Sequence, residues 1–183
     1  MRETLPDFPA RIGDDPSAPI LSDLPDQVSC RAATRSDFIF LRRLYAAGRK
    51  SELVAAGMPT KNHQDFCDSQ FACQHRDWIE RFPMAQFLIL TRGTRPIGRL
   101  YLNPSDEGVH IVDIAFLPDW QGRGLGRAVI AELQRQATTF GQSVTLNVAV
   151  ENSPAASLYH RLGFVAERRS ERHVLMRWSP QAR

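Results

Sequence analysis

Three glycines stand at alternate positions, Gly122, Gly124 and Gly126, with Arg123 and Arg127 among them. They follow a β-branched apolar run, 111–116, that is closed by Pro118. A glycine turn between a strand and a helix presents bare backbone N–H groups, and the helix N-terminus adds partial positive charge. Glycine reaches left-handed dihedrals and lets a ligand approach the backbone closely. Two guanidinium groups beside such a turn suit phosphate oxygens. These residues fit the binding of a phosphate ligand; a plain tight turn is the other reading of the same glycines. Three side chains nearby in sequence suit proton transfer: His110 and Asp113 as acceptors, and Tyr159, a phenol that keeps its proton at neutral pH, as a donor.

The ligand class narrows by elimination. No Lys-Ser or Lys-Thr follows the glycines, so the nucleoside-triphosphate loop is absent. Counting six from Gly122 gives Arg127, and from Gly124 gives Val129, so the dinucleotide pattern fails too. What remains is Gln121-x-x-Gly124-x-Gly126. This resembles the acyl-CoA pyrophosphate loop of the GNAT superfamily of N-acetyltransferases, Q/R-x-x-G-x-G/A. The setting extends the likeness. A helical pattern runs from the glycines to Phe140-Gly141, a second strand pattern leads to Asn152, and 152–164 reads NSPAASLYHRLGF. That stretch is similar to the superfamily's N-x-x-A-x-x-x-Y-x-x-x-G-F signature, with Asn152, Ala155 or Ala156, Tyr159, Gly163 and Phe164 in place. The resemblance covers about 31–178.

The resemblance implies acetyl-CoA as co-substrate and acetyl transfer to an amine by direct attack in a ternary complex. It places the pyrophosphate on Gln121, Gly122, Arg123, Gly124, Leu125, Gly126 and Arg127. It places the pantetheine arm against the backbone of Phe116 and Leu117, where one amide would act as oxyanion donor. Asn152 would bond the pantetheine or only cap its helix. Tyr159 would give its proton to the leaving thiolate; an amphipathic core tyrosine is the alternative. The base is open. Superfamily members carry a glutamate where this chain has His110 or Asn147, and this chain departs from both patterns. Asp113 fits a base, an amine anchor or a structural ion pair; His110 fits a base or a surface residue beside a turn. In a regular strand the two face opposite ways, unless a bulge intervenes. A non-catalytic CoA-binding or sensor module of the same fold is the competing reading. The acceptor, a small molecule or a peptide, is not specified by the sequence.

The elements that must position these groups follow from periodicity and breakers. The resemblance implies a GNAT-like α/β domain: a mixed, mostly antiparallel sheet with helices on both faces. Residues 1–27 hold five of the twelve prolines and six acidic residues, and read as an extended or disordered leader, or an arm laid on the domain or a partner. The transferase domain is expected over 28–179. Strands are expected at 28–32, 86–91, 96–103, 109–117, 144–150, 164–169 and 173–178. The strand at 144–150, nearly all apolar, is expected to be buried on both faces. Helices are expected from Phe38 to before Ala56, at 61–81, at 124–140 with Phe140 on its apolar face, and from Ser153. Phe66, Phe71, His75, Trp78 and Phe82 could line an aromatic pocket or simply pack a core.

Composition sets the class. The 183 residues suit one domain, and 43% apolar content suits one core. Net charge is +3, but residues 1–30 net −4 and the remainder +7, which fits an anionic ligand. Cys30, Cys67 and Cys73 form no C-x-x-C pair and no even disulfide set, as in a reducing cytoplasm. No two of the five histidines show ligand spacing, so no metal is expected. No membrane or nucleic-acid role is expected: Arg168, Arg169, Arg172, His173 and Arg177 are divided by strand alternation between two faces. The expected state is a cytoplasmic monomer or homodimer.

Overall fold

A computed structural model of the chain describes residues 5–9, 21 and 24–181. Seven strands form one sheet: β1 (Val28–Ala32), β2 (Gln86–Arg92), β3 (Arg95–Ser105), β4 (Gly108–Phe116), β5 (Ser143–Ala149), β6 (Val165–Arg169) and β7 (His173–Trp178). Their order is β1-β2-β3-β4-β5-β7-β6, and every pairing is antiparallel except β4 with β5. The parallel step needs a crossover, and α3 (Leu125–Thr139) supplies it. The remaining helices are α1 (Phe38–Ala55), α2 (His63–Arg81) and α4 (Ser153–Arg161).

The sheet separates two apolar clusters. One lies under α3 and α4 and includes Leu100, Leu102, Ile111, Leu125, Val129, Leu133, Leu146 and Phe164. The other lies under α1 and α2 and includes Leu41, Leu44, Tyr45, Phe71, Trp78, Phe87 and Tyr101. Helices therefore cover both faces, as expected. The α3 stripe Leu125, Val129, Leu133, Ala137 recurs at helical spacing and is buried throughout.

Several details depart from the sequence expectation. β5 alternates: Val144, Leu146 and Val148 are buried, whereas Asn147 and Ala149 are exposed. Its second face is open because the cover of α1 and α2 stops short of it. Phe140 lies past the last turn of α3 and is 66% exposed, and Gly141 takes the left-handed dihedral after it. Pro104 belongs to β3, so the β3–β4 turn is only Asp106–Glu107. Phe66 is 39% exposed, while Phe71, His75 and Trp78 are buried in the second cluster. The leader contributes to both clusters: Leu5 to the one under α1 and α2, Leu21 and Leu24 to the other. Residues 10–20 lie outside the described residues.

Candidate active site

The parallel pairing of β4 with β5 runs from Gly108 and Ser143 only to Ile111 and Leu146. Beyond it the two strands part, and β4 between 112 and 116 has no ladder partner on that side. A cleft of about 290 Å³ opens there, lined by Leu44 and Gly48 of α1, Ile114–Phe116 of β4, Gln121, Gly126 and Tyr159. Leu44 and Gly48 are one helical turn apart, so one stripe of α1 forms the wall. Leu117 donates its N–H to the Ile97 carbonyl and accepts from the Trp120 N–H, at 2.9 and 2.8 Å. Antiparallel alternation then turns the Phe116 N–H away from β3 and toward the cleft. Of the two residues expected at the pantetheine, Phe116 is the one whose amide faces the opening; Leu117 has spent its groups on β3 and a 3₁₀ turn.

The glycine loop has the geometry its spacing suggested. Gly122 and Gly124 have φ of 71° and 79°, left-handed values that a side chain with a Cβ disfavours. Gly124 caps the N-terminus of α3, and no side chain satisfies that helix end. The Gln121 side chain donates to the Phe116 carbonyl at 2.8 Å, tying the loop back to the strand end. Asn152 caps α4 through its Oδ1, which accepts from the Ala155 N–H at 3.2 Å. The cleft, the bare amides and the exposed N-terminus of α3 fit an extended thioester ligand ending in a pyrophosphate.

β4 bulges at Val112, because Tyr101 pairs with Asp113 while Leu102 pairs with Ile111. The extra residue resets the alternation. His110 and Asp113, expected on opposite faces of a regular strand, therefore share the face under α1 and α2; Val112 and Ala115 pack there too.

Asp113 accepts from Arg99 Nε at 2.6 Å. Arg99 is buried, its guanidinium 4.8 Å from the Trp78 ring and 5.5 Å from that of Tyr101, with Nη2 3.4 Å from Gln74 Oε1. Behind this pair, Arg99 Nη1 and the Tyr101 hydroxyl have no hydrogen-bond partner among the described residues. Burial, offset in part by the Arg99 charge, pushes the Tyr101 phenol up. Asp113 keeps part of its carboxylate open, the side chain being 24% exposed, and its charge reaches the Tyr159 phenol in the cleft.

His110 stacks on Phe82 and sits 2.9 Å, through Nδ1, from Thr145 Oγ1. Asn147 Nδ2 lies 3.4 Å from its Nε2, so these contacts select the tautomer with the proton on Nδ1. Burial, with the Arg81 charge adding to it, pushes the imidazole pKa down. The ring is therefore neutral at pH 7, with a lone pair on Nε2. Tyr159 lines the cleft and packs on Phe164. Burial and the charge of Asp113 push its phenol up, so it stays protonated.

Sequence reading missed Arg99 and Thr145, and offered Phe82 only as an aromatic of a pocket or core, not as the ring on which His110 stacks. The signal for Arg99 was a lone charge inside the apolar run Ile97–Leu102. A second cavity, about 310 Å³, lies between α1 and α2 beside Arg43, Lys50, His63 and Cys67, and contains none of the expected site residues. Among the described residues no group of His, Cys, Asp and Glu is placed to hold a metal ion, and no helix is long and apolar enough to cross a membrane.

Comparison with known proteins bears on the family and the fold. Residues 52–164 match the model of the acetyltransferase (GNAT) family. The chain is similar in structure to a PaiA N-acetyltransferase from Thermoplasma acidophilum solved with coenzyme A, at TM-score 0.63 and 16% identity, covering 84% of this chain and 99% of that one. An acetyltransferase from Thermus thermophilus gives 0.61 and 20%, over 84% and 97%. A spermidine/spermine N-acetyltransferase from Vibrio cholerae gives 0.54 and 21%, over 84% and 92%. No curated protein matches the sequence.

Proposed function

The chain belongs to the acetyltransferase (GNAT) family, and we propose that it is an acetyl-CoA-dependent N-acetyltransferase acting on a cationic alkylamine, free or on a peptide. Bound acetyl-CoA supplies an activated acetyl thioester. The observation that carries the reading is the cleft beside the glycine loop, lined by Tyr159 and the unpaired end of β4, with Asp113 near enough that its charge acts on the Tyr159 phenol and His110 on the same face of β4 as Asp113. The resemblance to amine acetyltransferases, a spermidine/spermine enzyme among them, supports it.

The residues divide the work. Gly122–Gly126 and the N-terminus of α3 hold the pyrophosphate, and Arg123 and Arg127 add charge. The Phe116 N–H stabilises the charge that develops on the carbonyl oxygen. Asp113, fixed by Arg99, anchors the incoming ammonium: its carboxylate faces the cleft while the guanidinium lies behind. The neutral His110 accepts the amine proton at Nε2, exchanging its long contact with Asn147. That first proton loss turns the ammonium into the attacking amine. As the carbon–nitrogen bond forms and the carbon–sulfur bond breaks, Tyr159 gives its proton to the departing sulfur, and the second proton that the nitrogen loses restores the Tyr159 hydroxyl. The products are an amide and free CoA thiol. The odd cysteines stand outside this cleft, so no covalent acyl-enzyme is invoked.

The test is a panel of diamines, polyamines, amino acids and peptide N-termini with acetyl-CoA, read by release of free thiol. Cationic alkylamines are expected to react in preference to anionic ones. Tight CoA binding with no turnover on any amine would favour the non-catalytic CoA-binding module.

A further inference from the structure

The hairpin joining β2 to β3 carries a charge arrangement that folding alone does not explain. Arg92 and Arg95 are direct cross-strand partners on either side of the two-residue turn Gly93–Thr94. Directly opposed residues of an antiparallel pair project to the same face, and like charges there destabilise the pair. Among the described residues neither has a carboxylate partner; Arg92 donates Nε only to the Asp26 backbone carbonyl, at 3.2 Å. The Arg92 guanidinium lies 5.6 Å from the ring centre of Trp120, and that of Arg123 lies 5.0 Å from it. Trp120 is buried and immediately precedes the glycine loop. The Leu117 to Ile97 hydrogen bond fastens the hairpin stem to the base of that loop. Arg92 and Arg123 thus share one tryptophan face, and Arg95 stands opposite Arg92 across the hairpin.

We propose that Arg92, Arg95 and Arg123 form a phosphomonoester subsite that recognises the 3′-phosphate of coenzyme A, adjoining the pyrophosphate loop. The inference rests on the acetyl-CoA reading and deepens it. The backbone amides, the helix N-terminus and Arg127 already serve the pyrophosphate, with Arg123 shared; the two guanidinia of Arg92 and Arg95 exceed that need. A 3′-phosphomonoester is close to dianionic at pH 7 and offers three acceptor oxygens. Its arrival turns the repulsion between Arg92 and Arg95 into shared attraction. The cluster then selects the 3′-phosphorylated carrier over dephospho-CoA and over acyl groups carried on a bare phosphopantetheine arm.

The experiment is calorimetric titration of the full chain with CoA and with dephospho-CoA, for wild type, Arg92→Ala, Arg95→Ala and Arg92→Lys. Wild type is expected to prefer CoA by at least about tenfold, the size of one charge-assisted hydrogen bond. Each alanine variant should lose roughly that factor for CoA and leave dephospho-CoA unmoved, and Arg92→Lys should recover part of it. Melting curves without ligand supply a second readout: Arg95→Ala should melt no lower than wild type, because it removes a like-charge pair. Equal weakening of both ligands would assign the cluster to the pyrophosphate and overturn the subsite. Unchanged CoA affinity, or a clear loss of apo stability, would overturn it as well. If wild type bound neither ligand, the acetyl-CoA reading itself would fall and take the subsite with it.

Discussion

Tyr159 is where a single atom separates chemistry from packing. Tyr159→Phe keeps the ring against Phe164 and removes only the hydroxyl. If that hydroxyl protonates the departing sulfur, turnover should fall by roughly 10²–10⁴ while CoA affinity and melting temperature barely change. A role in packing alone reverses the order: Phe is neutral, and Ala costs about 3 kcal/mol through the cavity it leaves. Rates with acetyl-CoA and an accepted amine, beside melting curves, decide between them. Asp113 and His110 divide in the same way between binding and proton transfer. A free alkylamine near pKa 10.4 is almost all cation at pH 7. Asp113→Asn should therefore raise the amine KM at neutral pH, and the penalty should shrink as the pH approaches 10 and the amine becomes neutral. His110→Gln should instead lower kcat and erase the acid limb of kcat/KM, which in wild type lies below the ordinary histidine range because burial lowers that pKa. A penalty for Asp113→Asn that was uniform across pH would make Asp113 purely structural, a partner for Arg99.

At the scale of elements, the glycine loop was legible and the bulge was not. Strand, proline, alternate glycines and an apolar helical stripe are all local signals, and each fell where its spacing put it except Phe140, which lies past the last turn of the helix. The bulge at Val112 depends on how β4 pairs with β3, fourteen positions away at Arg99 and Asp113, and no local pattern records that register. So the sequence offered His110 and Asp113 as candidates on opposite faces of a regular strand, with a bulge as the exception, and could not say that the exception holds. The open face of β5 was hidden for a related reason. An apolar run reads the same whether its second face meets a helix or a cleft, and only the reach of α1 and α2 decides. The loop yields its own prediction. Gly124 has φ +79° with nothing within 4 Å of an added Cβ, so the objection to a side chain there is conformational, and a bound pyrophosphate adds to it. Gly124→Val should cost about 1–2 kcal/mol of stability from the left-handed backbone and abolish CoA binding in a chain that still folds. Calorimetry with unchanged CoA affinity would move the phosphate away from this loop.

At the scale of the whole molecule, the N-terminal strap turns a histidine into a determinant of acid stability. Three leucines spread through a proline-rich leader give no periodicity, so their burial could not be read from the sequence. Yet Leu5 enters the cluster under α1 and α2, Phe8 stacks on Phe38 at 5.2 Å, and Asp7 pairs with Arg35 at 2.9 Å. Between strap and sheet lies His75, fully buried, with Nε2 2.9 Å from the Pro6 carbonyl. That contact fixes the ring proton on Nε2 and leaves Nδ1 without a partner among the described residues. Burial pushes the His75 pKa down; the Pro6 hydrogen bond opposes this, and Arg99, Arg42 and Arg76 reinforce it. The unfolded chain therefore takes up this proton first, near pH 6.5, and the folded chain resists it. Stability should be flat above that pH and fall as the pH drops below it, until the folded pKa is passed. His110, also depressed, adds a loss of the same sign. Asp37 acts in another window: burial pushes its carboxyl up, but the Arg31 and Thr34 hydrogen bonds outweigh this and hold it low, so its loss begins only below about pH 4. His75→Gln keeps an N–H donor within reach of Pro6 and cannot titrate. Melting temperatures between pH 7.5 and 5.5 should then decline less steeply than in wild type, leaving the part that His110 contributes. An unchanged slope would mean that the strap yields before His75 is charged, so that water reaches the ring in the folded chain.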